Sequence, residues 1–385
     1  MKKIVLYIST FVALTSLGVV SCSKKESKEP LLDNCKIHHD DEFGGAYIDV
    51  SIDAFNKLGF KFGDSVNLSF VTHYDQDVEI SDIGYFSGYY VPAGQELVVG
   101  YKGYENVKFC INYGEDIYLK YKFDETTKVT ISLNEKQKYK DIEETLSISY
   151  SDDRNDAFYQ SDEQFANFRP IKAGLMRDNF VYRGASPIDD SRKRSEIVDN
   201  LLRKNNIKYN IDLADKQENI SKDKKFVVHD YFKELQDDNG VIYLGMAAAY
   251  KAEDFTNKMK TLFEAMLNND GPYYIHCLEG KDRTGYVCMV LEALCGASYD
   301  ELVNEYFITY KNYYGIEKDT EKYNTIKSIH IDEMIRYVFG FEQSLALLGA
   351  SFHSMANNYL LNVGLTQQQI DTLQLKLTGG VRIEN

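Results

Sequence analysis

The chain has 385 residues and a formal net charge of −15, with 44 Lys and Arg against 59 Asp and Glu. That balance excludes a global electrostatic footprint for nucleic acid, so an anionic ligand must be drawn by local charge. With 44% hydrophobic residues, 30 Tyr, 5 Pro and no Trp, it is long enough for two domains of ordinary size.

Lys2 and Lys3 precede an apolar run from Ile4 to Val20, then Ser21-Cys22 and the polar tract SKKESKEP. Basic, apolar and small-residue regions in that order form a secretory signal. The stretch resembles a bacterial lipobox. The resemblance implies a signal peptide over 1–21, lipidation at Cys22 and a polar tether over 22–31. It further implies a membrane-anchored lipoprotein of the bacterial cell envelope, periplasmic or surface-facing, held by its acyl chains. The competing reading is an uncleaved anchor, for which the apolar run is at the short edge.

Residues 32–146 read as a small all-β domain. VNLSF, VEIS, GYYV, ELVVGY, VKFCINY, DIYLKYKF and KVTISL are short β-type runs separated by Gly, Asp and Asn, a rhythm expected of a barrel or sandwich. Its Gly, Pro and strand spacing looks somewhat like the β-barrel attached to S-adenosylmethionine hydroxide adenosyltransferases, without the catalytic part of those enzymes. The domain is taken as a binding or spacer module. Cys35 and Cys110 are a candidate disulfide in an oxidising compartment. Cys288 and Cys295, about 10 Å apart along one helix, are too distant to bridge. His38-His39-Asp40-Asp41 reads as a solvated polar loop, and no Cys–His spacing indicates zinc.

The polar stretch 147–166 reads as a linker, and 167–385 as an α/β catalytic domain. A helix is expected over about 190–204, then strands at IKYNIDL, FVVH and VIYLG, and an amphipathic helix over about 251–267. Strands alternating with helices imply a mostly parallel central sheet flanked by helices, with a phosphate loop at a strand's carboxyl end. Helices follow over about 298–310, 333–348 and from Thr366 to the Gly379-Gly380 stop. Capping boxes open the first and last of these, at Ser298/Glu301 and Thr366/Gln369.

The chemistry concentrates in His276 to Gly285, HCLEGKDRTG, between the apolar run Tyr273-Tyr274-Ile275 and an apolar helix. Strand, tight loop and helix N-terminus suit an anion: loop amides and the helix dipole favour negative charge. The same field favours a thiolate at Cys277. Arg283 can grip two phosphate oxygens at once. Gly280 gives the loop its conformational freedom, and the Thr284 hydroxyl can reach the Cys277 sulfur. Leu278, Glu279, Gly280, Lys281, Asp282, Arg283 and Thr284 form the substrate-binding loop. The bland alternative is a buried cysteine at a strand end beside a surface arginine.

Cys-x5-Arg with its flanking His, Gly and Thr-Gly resembles the signature of the protein tyrosine phosphatase superfamily. NFR, VYRGASP, IDLAD, HCLEGKDRTG and the C-terminal NNYLLNVGLTQQQIDTLQLKL together look like the atypical bacterial phosphatases with tyrosine and lipid specificity. That resemblance implies a phosphocysteine mechanism with Cys277 as nucleophile, Arg283 as phosphate ligand and Asp282 as general acid, without cofactor or metal. Asp215, Asp230, Asp237 and Asp238 are rivals for the acid. Asp282 alternatively only orients Arg283, and Lys281 either meets a second phosphate or is solvated. Arg169, Arg177 and Arg183 either line the cleft or are surface charges. Two departures stand out. The family's Asp-Leu-Arg is Asp212-Leu213-Ala214 here, and Pro170 follows Arg169 where a Gly-Gly is usual. The implied function is an exported phosphomonoesterase acting on phosphotyrosine proteins or phosphoinositides. The alternatives are a phosphatase of inositol polyphosphates (phytase-like) and a non-catalytic phosphate-binding pseudophosphatase.

Overall fold

The structure is a computed structural model that describes residues 29–41, 43–71, 77–341 and 346–383. The signal peptide and Cys22 lie outside the described residues. Among the described residues no helix is long and apolar enough to cross a membrane.

Seven strands close a barrel in the order β1-β2-β6-β5-β4-β3-β7. They are β1 (Leu31–His39), β2 (Ala46–Ser51), β3 (Ser65–Val71), β4 (Asp77–Phe86), β5 (Glu96–Val99), β6 (Asn106–Ile111) and β7 (Lys128–Glu135). All neighbours are antiparallel except β4 and β5. Closure leaves no edge strand to pair with other chains. Phe55, Val66, Leu68, Tyr85, Val98, Phe109 and Ile131 fill the interior.

The second sheet has the order β11-β10-β12-β9-β8. Its strands are β8 (Arg169–Pro170), β9 (Val181–Gly184), β10 (Tyr209–Asp212), β11 (Val241–Tyr243) and β12 (Tyr273–His276). β9, β10, β11 and β12 run parallel, and only β8 opposes its neighbour. β12 is buried along its whole length, so its sequence reads as a run instead of an alternation. Register places Gly184 and Asp212 on either side of His276, so three strand ends share one edge. The helix Asp282–Leu294 leaves that edge with every residue from Thr284 to Leu294 buried. Such a helix has no solvent face and forms the centre of the core. The helices Tyr299–Tyr314, Asp332–Phe339 and Phe352–Val363 pack on it.

Several expectations are revised. GYYV is a loop, and Ile117–Lys120 is a helical turn where a strand was expected. FVVH is not a strand; Val227 and Val228 are exposed. The 333–348 helix is Asp332–Phe339, stopped by Gly340 in a left-handed C-cap. His38 and His39 belong to β1. His39 sits 2.6 Å from Asp41 and 2.5 Å from Asp116, and Asp40 is buried 2.6 Å from Lys108, so this is no solvated loop. Cys35 and Cys110 are both free. β2 lies between their strands, and register sets Cys35 beside Val50 and Cys110 beside Gly45 at opposite ends of it, so they are more than two strand spacings, about 10 Å, apart and beyond disulfide reach.

Candidate active site

The loop from Cys277 to Lys281 is held from behind by its carbonyls. Ser186 N donates to Leu278 O (3.0 Å), and Tyr313 Oη donates to Glu279 O (2.7 Å). Gly280 O accepts from Arg183 Nη2 (2.9 Å) and Asn167 Nδ2 (3.3 Å), and Lys281 O accepts from Arg183 Nη2 (3.3 Å). In a trans peptide the N–H points away from its C=O. Four carbonyls tied on one side therefore turn the amides of Glu279, Gly280, Lys281 and Asp282 to the other. Among the described residues, none of the N–H groups from Leu278 to Thr284 donates to a protein acceptor. The first three of the helix are orphans in any case. Seven consecutive free donors at a helix N-terminus form an anion nest.

Gly280 is required twice over. Its φ is +67°, and a Cβ there would sit 2.1 Å from the Gly184 carbonyl oxygen. The His276 ring is buried with Nε2 2.9 Å from Asn210 Oδ1, and burial pushes its pKa down to about 4, so it stays neutral. Cys277 is buried at the start of the loop. Arg283 Nη1 donates to Met246 O (2.9 Å), which pins one edge of the guanidinium and leaves its other N–H groups without a protein acceptor among the described residues. The Thr284 hydroxyl is buried and has no partner among the described residues.

Lys281 and Asp282 pair at 2.7 Å, so Lys281 is not solvated. Burial would raise the Asp282 pKa, but Lys281 and, with smaller contributions, Tyr113 and His330 together hold the carboxyl below its ordinary value. Asp215 behaves oppositely. Burial, with repulsion from Asp212 and Asp189, pushes it up to about 7, and one of its oxygens has no partner among the described residues. Burial raises Asp212 to about 6, while its Oδ1 caps the turn after β10 by accepting from Ala214 N and Asp215 N. Asp230, Asp237 and Asp238 are exposed on another helix and its C-cap, and none lines the cleft.

Arg169 and Arg183 neither line the cleft nor lie on the surface. Both are buried behind the loop on Glu305: Arg169 Nε at 2.6 Å and Arg183 Nη1 at 2.5 Å. Arg177 is exposed, its guanidinium 4.6 Å from the Phe180 ring centre. Glu305 and Tyr313 carry no local motif and were missed, and Ser186 was marked only by the VYRGASP string. Asn167 and Arg169 were marked only by the NFR string.

Above the loop lies a cleft of about 970 Å³, lined by Glu279, Lys281, Asp282 and Arg283 from the loop. Tyr310, Tyr314 and His330 line it from the helical side. The opposite wall is the barrel, through Tyr101, Lys102, Tyr104 and Tyr113. The barrel is therefore not a detached spacer.

A cysteine opening a nest of free amides, with an arginine closing it at a helix N-terminus, defines the class of cysteine-dependent phosphatases. Residues 164–379 match the tyrosine phosphatase family, and the chain belongs to it. No curated protein compared with it matches. Among solved structures it is similar to an uncharacterized conserved protein from Thermotoga maritima, at 19% identity and TM-score 0.21. That match covers 27% of this chain and 39% of the other, so the chain spans well under half the length of that relative. It is also similar to the core catalytic domain of the PP-IP phosphatase SIW14 from S. cerevisiae, at 20% identity and TM-score 0.26 over 45% of this chain and 91% of that one. A second structure of the Siw14 catalytic core gives 19% identity and TM-score 0.26 over 46% and 90%.

Proposed function

We propose that the protein is an exported phosphomonoesterase, tethered through Cys22, that acts on phosphotyrosine proteins and, as a second substrate class, phosphoinositides. The observation that carries the catalytic reading is the run of seven uncommitted amides from Leu278 to Thr284, directly after Cys277. Such donors stabilise charge as it develops on the equatorial phosphate oxygens. The Cys277 thiolate attacks phosphorus in line. The S–P bond forms as the bond to the leaving oxygen breaks, and water later displaces the cysteine. Asp282 supplies the proton to the leaving oxygen and takes one from water in the second step. Because Lys281 holds Asp282 low, its protonated fraction falls early as pH rises, so turnover is favoured on the acid side of neutrality.

A monophosphate is favoured over a polyphosphate by the state of the cations at the cleft. Lys281 is paired with Asp282, Lys108 with Asp40, and Arg192 with Asp152 at 3.2 Å and Glu279 at 3.6 Å. Lys102, on the barrel wall, has no ion pair among the described residues, and a further phosphate that it does not meet would have to break such a pair.

The test is turnover of p-nitrophenyl phosphate, phosphotyrosine peptide, phosphatidylinositol phosphates and phytate by wild type, Cys277→Ser and Asp282→Asn. We expect no turnover by Cys277→Ser, and phytate as the poorest substrate. Asp282→Asn should lose most on poor leaving groups. Equal rates for wild type and Cys277→Ser would remove the enzymatic reading and leave a phosphate-binding protein. Preference for phytate would establish the inositol-polyphosphate alternative.

A further inference from the structure

The stretch 147–153 lies in no helix or strand and reads from the sequence as linker, yet it runs along the rim of the phosphate loop. Ser147, Ile148, Ser149 and Tyr150 line the cleft together with Glu279, the second residue after Cys277. Tyr150 makes the contact. Its Oη donates to the Glu279 carboxylate, and its ring stacks on Tyr313, centroids 4.8 Å apart and planes 22° from parallel. Tyr313 Oη donates in turn to the Glu279 carbonyl at 2.7 Å. Two stacked tyrosines therefore hold one loop residue, by its backbone and by its side chain. The segment is itself fastened. Arg194, almost fully buried, places its guanidinium 5.0 Å from the Tyr150 ring centre and 5.1 Å from that of Tyr313. It donates to Asp152 Oδ1 at 2.7 Å and to Ser151 O at 3.2 Å, and Tyr159 Oη donates to the same carbonyl at 2.7 Å.

Glu279 brings a negative charge to a loop built for an anion. Its N–H is one of the free donors of the nest. Its carboxylate, if released towards the cup, would repel a phosphate dianion at close range. Tyr313 lies on the carbonyl side of the loop, away from the nest amides, and Tyr150, stacked on it, draws the carboxylate to that side. Among the described residues two groups lie within hydrogen-bond or ion-pair distance of that carboxylate, Tyr150 Oη and the Arg192 guanidinium at 3.6 Å. The second distance is too long for a hydrogen bond, so Tyr150 makes the one bond. We propose that Tyr150 is a positioning residue of the active site, whose hydroxyl holds the Glu279 carboxylate out of the phosphate cup. This rests on the phosphatase reading above and extends it: the segment between the two domains is part of the site. Burial and the neighbouring Glu279 push the Tyr150 pKa well up, so at working pH it is a phenol that donates.

The test is a cycle of four proteins on the full chain: wild type, Tyr150→Phe, Glu279→Gln and the double variant. Calorimetric affinity for inorganic phosphate is measured on each, with kcat and KM on p-nitrophenyl phosphate beside it. Tyr150→Phe keeps the stacked ring, and measurement well below its thermal midpoint ensures a folded protein. Losing the bond to a charged group frees the carboxylate, so Tyr150→Phe should bind phosphate about tenfold more weakly than wild type. In the Glu279→Gln background the same change should cost less than about twofold, because no charge is left to restrain. A Tyr150→Phe protein that binds phosphate as tightly as wild type overturns the proposal. So does equal weakening in both backgrounds, since a ring that only supports the fold acts alike on Glu and Gln. Either result leaves the phosphatase reading intact. Phosphate binding with the expected coupling but without Cys277-dependent turnover overturns the phosphatase reading alone. A wild type that binds no phosphate overturns both.

Discussion

Glu305→Gln is the perturbation that most directly tests how the loop is held. Glu305 is the counter-ion of two arginines, at 2.6 Å to Arg169 and 2.5 Å to Arg183. Its backbone oxygen accepts a third bond from Arg169 Nη2 at 3.2 Å. Removing the charge leaves two guanidinium groups buried with no carboxylate, a change that costs about 3–5 kcal/mol. For a unit the size of the family match this corresponds to a drop of roughly 6–20 °C in Tm. A second carboxyl moderates the loss. Glu292 lies in the same cluster, where burial and the neighbouring Glu305 push its pKa well up, so in wild type it is a neutral acid. With Glu305 neutralised, Glu292 would ionise towards Arg183 and Arg169. The single variant should therefore fall near the low end, and Glu292→Gln alone should change stability by less than about 1 kcal/mol. The double variant should lose more than the sum, with a coupling of about 1–3 kcal/mol. Arg183 also holds the Gly280 and Lys281 carbonyls, so kcat should fall with stability. Denaturant unfolding and kcat/KM on the four proteins check this. Strictly additive losses, or a Glu292→Gln variant as unstable as Glu305→Gln, would refute the account.

Gly280→Ala should lower Tm clearly and, in the protein that remains folded, lose about 100-fold or more in kcat. Its Cβ must displace the Gly184 carbonyl and with it the loop, and a misplacement near 1 Å can cost that much; thermal unfolding beside steady-state kinetics separates the two effects. Asp215→Asn should alter the pH dependence of stability. The folded pKa of about 7 exceeds the unfolded value of 3.8, so the folded state binds more protons between them and wild-type stability falls as pH rises through that window. Asn removes that fall, and at pH 8 should gain up to about 4 kcal/mol relative to its difference from wild type near pH 4, less whatever burying the amide costs. Denaturant curves at the two pH values read it, and parallel pH profiles for variant and wild type would contradict the burial of that carboxyl.

Local signals were legible in proportion to how local their causes are. The Ser298/Glu301 and Thr366/Gln369 capping boxes form as expected, since a cap is closed by residues three apart. The short run Tyr273-Tyr274-Ile275 was readable as a buried strand because both of its faces are covered. FVVH and DIYLKYKF misled because β-type residues take the conformation their neighbours in space allow. In FVVH the two valines are exposed, and the stretch makes only an isolated bridge between Phe226 and Asp189.

HCLEGKDRTG by itself determined the phosphate loop, because the residues that shape an anion nest are contiguous: a glycine where φ must be positive, amides in a row, an arginine at the helix start. Only the tertiary structure decided what holds that loop and what faces it. Glu305 and Tyr313 come from the helix Tyr299–Tyr314, Arg183 from the neighbouring parallel strand, and Tyr113 from the barrel side of the cleft. Their roles depend on distances across packed elements, which no spacing along the chain encodes. The same holds for protonation. Asp215 and Asp282 are the same residue type, and burial among like charges raises one while a lysine at 2.7 Å lowers the other.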